Sequence, residues 1–114
     1  MVSTSTLTRE QPTHGKPYGR DDLDAARAAF SQEVRLEIIR YLRITGPSDR
    51  TRIAEDTSIS HGLVAQALNK LKSLGLVTDN ANDVDLPARE RTYTLDTNLT
   101  DRLLHSMARY LLGP

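Results

Sequence analysis

The sequence predicts a mainly α-helical domain with a small β-hairpin, with about five helices and a two-stranded hairpin. Three observations predict it. Residues 48–77 read as two short helices joined by a tight turn. The segments on either side carry apolar residues at three- and four-residue spacing, which is one face of an α-helix. After Val77 the period changes, and strand formers flank a polar loop.

Taken in order, residues 1–20 contain Ser, Thr, Pro and Gly with little apolar periodicity, and are expected to be a disordered tail. Arg9, Lys16 and Arg20 make it mildly basic. A solvated tail is the reading taken, over an arm reaching into a minor groove. The ordered domain is expected over 21–114. Asp21 or Asp22 can cap its first helix, whose stripe is Leu23, Ala26, Ala29 and Phe30. Ser31 offers a fresh cap, and Val34, Ile38, Ile39 and Leu42 make the next helix the most apolar of the chain and its expected central element. Gly46-Pro47 ends it.

In the central stretch Ser48 is expected to cap a short helix that turns Ile53 and Ala54 inward. Thr57-Ser58 breaks the pattern, because their side chains compete for backbone hydrogen bonds. Ile59 is apolar inside that turn and is expected to plug the gap. Ser60 caps the second helix, where Val64, Ala67, Leu68, Leu71 and Leu74 share one face, and Gly75 ends it. A short helix, a plugged turn and a longer helix is the helix-turn-helix plan. Leu76-Val77 and Arg91–Leu95 then form a hairpin around residues 79–90, and a hairpin in that place is a wing. Thr97 or Asn98 can cap a last helix over 97–112, with Leu99, Leu103, Met107, Tyr110 and Leu111 on its apolar face and Leu104 and Leu112 beside it. That surface must cover the first helix or pair with a second copy.

Composition narrows the function. The chain has 15 Lys and Arg against 15 Asp and Glu, a formal net charge of zero, and no Cys. There is thus no disulfide framework, thiolate metal site or cysteine nucleophile. A Gly-rich phosphate loop, paired carboxylates in an apolar setting and a Ser/His/Asp grouping are likewise missing, so an enzyme is not expected. No secretory signal or membrane-length apolar run is read. Net neutrality is unhelpful to a nucleic-acid binder, but the charge on one face decides, not the total.

From Phe30 to Leu42 the chain resembles the Pro-Thr-Arg-x-x-Ile-Leu helix of the ArsR-like winged-helix transcriptional regulators, with Val34-Arg35 where Thr-Arg is usual. Ile53-Ala54 resembles that family's Leu-Ala. Ser60 to Val77 resembles its Ser-x-x-x-Val-Ser-x-His-Leu-x-x-Leu-x-x-x-Gly-Leu-Val signature through Val64, Leu68, Leu71, Gly75, Leu76 and Val77, while Ala65 and Ala67 replace Ser and His. Tyr93-Thr94-Leu95 is similar to the closing strand of its wing. The resemblance spans about residues 22–112. It implies a winged helix, a homodimer built from the first and last helices, and repression at a double-stranded DNA site of two-fold symmetry. It also implies a cytoplasmic, nucleoid-associated protein of a prokaryote or phage. Many members sense metals. This chain lacks the Cys-x-Cys of the first motif helix, and Asp101 and His105 read as a solvated helix pair. No metal and no cofactor is expected, and any small-molecule effector is unknown.

On this plan the recognition helix over 60–74 enters the major groove and the wing over 78–95 flanks it. Gln66 and Asn69 are the candidate base readers, since an amide presents a donor and an acceptor together to adenine. His61 can donate to guanine or a phosphate, and Ala65 can touch a thymine methyl. Gly62 and Ala65 are small enough to let the helix backbone come close. Arg50, Arg52, Ser60, Lys70 and Lys72 are candidate phosphate contacts that set register. In the wing, Arg89 and Arg91 are the candidates, while Asp79, Asp83 and Asp85 at the expected tip would be repelled. Dimerisation is expected through Leu23, Leu99, Leu103, Met107, Tyr110 and Leu111. A winged-helix module that binds another protein is the competing reading, favoured by neutral charge and an acidic wing tip.

Overall fold

A computed structural model describes residues 20–80, 87 and 90–113. Residues 1–19 of the expected tail lie outside the described residues, as does most of the wing loop. Five helices and three strands follow in the order α1 (Arg20–Phe30), α2 (Glu33–Thr45), β1 (Ser48–Asp49), α3 (Arg50–Thr57), α4 (His61–Ser73), β2 (Val77–Asp79), β3 (Thr92–Leu95) and α5 (Thr97–Leu112). This is a mainly helical winged helix-turn-helix. Among the described residues no helix is long and apolar enough to cross a membrane.

The sheet has three strands where the sequence predicts two. Its order is β1-β3-β2 and both pairings are antiparallel. Val77 lies opposite Leu95, Thr78 opposite Thr94 and Asp79 opposite Tyr93. On the other edge of β3, Ser48 pairs with Tyr93 and Asp49 with Thr92. β1 is only two residues long, so it has no alternation from which a strand could be read. Asn80 closes the base of the wing, its Oδ1 accepting from the Thr92 N–H at 2.9 Å.

That extra strand corrects the expected cap of α3. Ser48 is buried, and its hydroxyl donates to the Gly46 carbonyl at 3.0 Å. Asp49 is the cap, with Oδ1 accepting from the Arg52 N–H at 2.8 Å. Ser31 does not cap α2: its hydroxyl donates back to the Ala28 carbonyl, and Gln32 holds the N-cap position without a side-chain bond. At α5 the cap is Asp96, accepting from the Leu99 N–H at 2.9 Å, not Thr97 or Asn98. α1 begins at Arg20, which leaves Asp21 and Asp22 in its first turn. Each expected cap stands within two residues of where the helix begins, and at α3 the pairing of Ser48 with Tyr93 passes the cap to Asp49.

The core draws on every helix and on β2 and β3. Ile38, Ile53, Val64, Leu68, Leu71, Leu76, Val77, Leu103 and Thr100 are its largest fully buried side chains. α2 packs against α1, α3, α4 and β3, the central place its apolar sequence predicts. α5 lies along α1. Buried Asp22 pairs with Arg102 (Oδ2 to Nε, 3.1 Å), the Arg27 guanidinium stands 4.8 Å from the Tyr110 ring centroid, and Arg43 of α2 pairs with Asp101.

Two outcomes are expected from this framework. Asp49→Ala leaves the Arg52 N–H without its acceptor at the start of α3 and should lower stability by about 1 kcal/mol in urea denaturation. The Tyr41 hydroxyl of α2 donates to Asp56 Oδ2 of α3 at 2.6 Å. That bond, with burial second, raises the Tyr41 pKa above its ordinary value. A raised folded pKa on an acid means that the contribution is complete below about pH 10 and lost as pH climbs through the folded value. Tyr41→Phe should therefore lower the urea midpoint at neutral pH and flatten its alkaline decline, as midpoints measured across that range would show.

Candidate nucleic-acid interface

The turn between α3 and α4 sets the pose of everything exposed on α4. Thr57 Oγ1 donates to the Ile53 carbonyl at 2.6 Å and accepts from the Ile59 N–H at 3.3 Å. Ser58 takes a left-handed conformation, φ 61°, which reverses the chain within one residue. Ile59 packs half-buried against the core, as a plug should. Ser60 then caps α4 by accepting from the Leu63 N–H at 3.3 Å. At the far end Gly75 has φ +88°, and an added Cβ would stand 3.3 Å from Leu99 Cδ2. Both conditions favour glycine there.

Val64, Ala67, Leu68 and Leu71 are buried, so the opposite face of α4 is open. His61, Gly62, Gln66, Asn69 and Lys70 are exposed, Ser60 with them, and Ala65 is half-buried. α4 contains two Lys and no Asp or Glu. The neutral total thus conceals a helix whose charged groups are all positive. Gly62 is not demanded by the fold: its φ is not left-handed, and a Cβ there would meet nothing within 4 Å. Glycine inside a helix costs about 1 kcal/mol against alanine, so something other than internal packing is needed to explain it.

The structure separates the expected phosphate contacts. Lys70 is exposed at the open face. Lys72 is engaged elsewhere: its Nζ lies 2.9 Å from Asp79 Oδ2, whose side chain is 5% exposed. Asp79 consequently stands in β2 beside Lys72 rather than at a wing tip. Arg50 is half-buried. Exposed Arg52 lines a concavity with Thr51, Asp49, Glu55, Asp56 and Glu90, a lining that includes four carboxylates. In the wing, Arg91 is half-buried at the base of β3, while Arg89, Asp83 and Asp85 lie outside the described residues.

The expected dimerisation residues divide as well. Leu103 is 1% exposed within the protomer, and Leu99 and Met107 pack against the same core. Leu23 is half-buried. Tyr110 and Leu111 are exposed, together with Leu104 and Leu112. Asp101 is committed to Arg43, which takes it from the Asp101/His105 pair. Sequence reading missed Leu63, which is 48% exposed on α4. Its signal was present: it is the one leucine of α4 off the Val64–Ala67–Leu68–Leu71 stripe.

Comparison with known proteins adds one match. Residues 32–79, from the start of α2 through β2, match the family model described as bacterial regulatory protein, arsR family. No curated protein matches the chain.

The two lysines give the test of this geometry. Lys70→Ala should reduce the slope of log affinity against log salt by about one phosphate contact per subunit. Lys72→Ala should leave that slope nearly unchanged and lower the urea midpoint instead. Binding isotherms on one duplex at several salt concentrations would check both.

Proposed function

We propose that this chain, which carries an ArsR-family helix-turn-helix domain over residues 32–79, represses transcription as a homodimer on a two-fold symmetric operator. DNA-binding transcriptional regulation is what the domain supports; the repressor role, the dimer and the symmetric site are the finer reading. The observation that carries it is the open, acid-free face of α4, with Gln66 and Asn69 side by side about one turn apart. Both amides offer the paired donor and acceptor that adenine presents in the major groove. His61 and Ala65 stand ready at the flank near β2, and Ser60, Lys70 and Arg50 supply neighbouring phosphate contacts. Arg91 is the wing residue of this reading. Leu104, Tyr110, Leu111 and Leu112 are the apolar surface left on α5 for a second copy once the inner stripe is used within the protomer.

One observation favours a second reading. The concavity beside α3 is lined by Asp49, Glu55, Asp56 and Glu90 against the single cation Arg52, a surface suited to a basic protein partner rather than to phosphate.

Selection of bound duplexes from a random DNA pool at two salt concentrations separates the readings. The expected outcome is enrichment of a two-fold symmetric site. Gln66→Ala and Asn69→Ala should each cost about 1–3 kcal/mol on that site and relax specificity at one position per half-site. An enriched but unsymmetric site would retain DNA binding and remove the dimer geometry. No enrichment at low salt would leave the protein-interaction module standing.

A further inference from the structure

We infer that Leu63 is a specificity-determining residue that reads the C5-methyl group of a thymine; this rests on the DNA-binding reading of α4 and names one base that α4 selects. Seven large apolar side chains are exposed among the described residues: Leu36, Ile44, Leu63, Leu104, Tyr110, Leu111 and Leu112. Leu36 and Ile44 belong to α2 and the last four to α5. Leu63 alone lies on the helix-turn-helix pair α3–α4. Its exposure is therefore not part of the apolar surface left on α5.

Its place on α4 is fixed from both sides. The Leu63 N–H is held by the Ser60 cap, so the residue lies in the first turn. In a helix entering the major groove, that end meets the base edges. Lys72 follows Leu63 by about two and a half turns, which puts the two on opposite flanks. Lys72 turns to Asp79 of β2, so Leu63 marks the flank away from the wing. Gln66 and Lys70 continue the same line at helical spacing. Leu63 thus heads a row of one apolar group, one amide and one cation.

The neighbouring Gly62 gives the row its reach. A Cβ at Gly62 would meet only open space within the protein, so the bare backbone there is open to an approaching surface. With no side chain holding the helix off, its first turn can descend until Leu63 touches the groove floor. There the apolar feature is the thymine methyl, and the other base edges present donors and acceptors. An exposed leucine among polar edges gains only where a methyl lies, which is how an apolar group selects a base.

The test uses the duplex enriched by selection, with uracil replacing each thymine in turn. This change removes the methyl and leaves the pairing edge intact. One position per half-site should then bind the wild-type chain about fourfold more weakly, the worth of one buried methyl-sized group. Leu63→Ala should bind the thymine and uracil duplexes equally, with its helical circular dichroism and urea midpoint unchanged. A methyl dependence that persists in Leu63→Ala, or that disappears only in Ala65→Gly, would overturn the assignment and leave sequence reading by α4 in place. The same holds if no uracil substitution weakens wild-type binding. Failure to enrich any duplex would overturn both readings together.

Discussion

The exposed chemistry of this protein depends on one packing constraint, the burial of the inner stripe of α4. Val64, Ala67, Leu68 and Leu71 enter a core shared with α2 and α3, and burying side chains of this size stabilises by about 1.5–3 kcal/mol for each of the larger ones. A helix held along that stripe cannot roll about its axis. Its rotation being fixed, the outward set of Gly62, Gln66 and Asn69 follows from helical geometry alone. The axial position is fixed by other means: Ile59 fills the turn, Ser58 reverses the chain, and Ser60 and Gly75 mark the two ends. Recognition helices need this firmness, since a base-reading amide must be placed to within a hydrogen bond's tolerance.

The second organising feature is the disposal of negative charge. A neutral chain that meets polyanionic DNA must keep its carboxylates from the contact face. Here several are engaged in the framework. Asp22 pairs with Arg102, Asp101 with Arg43 and Asp79 with Lys72; Asp49 and Asp96 cap helices, and Asp56 accepts from Tyr41. None of these lies on α4. The arrangement would also have a cost for binding, because Asp79 draws Lys72 toward the wing. Charge that stabilises the fold is drawn from the same small stock as charge that could bind a polyanion, and Lys72, paired with Asp79, is where the two uses would compete.

These two features also explain what could be read without coordinates. Helical periodicity made α1, α2, α4 and α5 legible, since an apolar stripe of three or four turns repeats often enough to define its own face. The turn was legible for a different reason: Thr57, Ser58 and Ser60 each have a local backbone preference. The start of α3 was displaced because Ser48 is drawn into β1 by pairing with Tyr93, a residue far along the chain. No local signal records that partner. The pairing of Lys72 with Asp79 was hidden on similar grounds, because it depends on how β2 leaves the end of α4. Leu63 escaped because attention to the stripe treats an off-stripe leucine as noise, although an apolar residue outside the core periodicity is more informative than one within it.

The last helix has one side packed in the protomer and one side left exposed. Its inner side, Leu99, Thr100, Leu103 and Met107, is absorbed by the protomer, and the Asp22–Arg102 pair and the Arg27–Tyr110 contact fasten it to α1. Those fastenings are polar and directional, so they fix the register of α5 on α1 more than they add to its stability. A fixed register matters for what is left outside. Leu104 and Leu111 lie seven residues apart, two turns along one flank, and present a narrow apolar line at a defined angle to the core. Two copies joined along such a line would hold their α4 helices at a set separation, and DNA accepts paired helices at intervals of one helical turn. In a dimer of the proposed kind, the charged contacts between α1 and α5 would bear on recognition without approaching the DNA, because the spacing of two α4 helices would be set by whatever orients the surface that joins them.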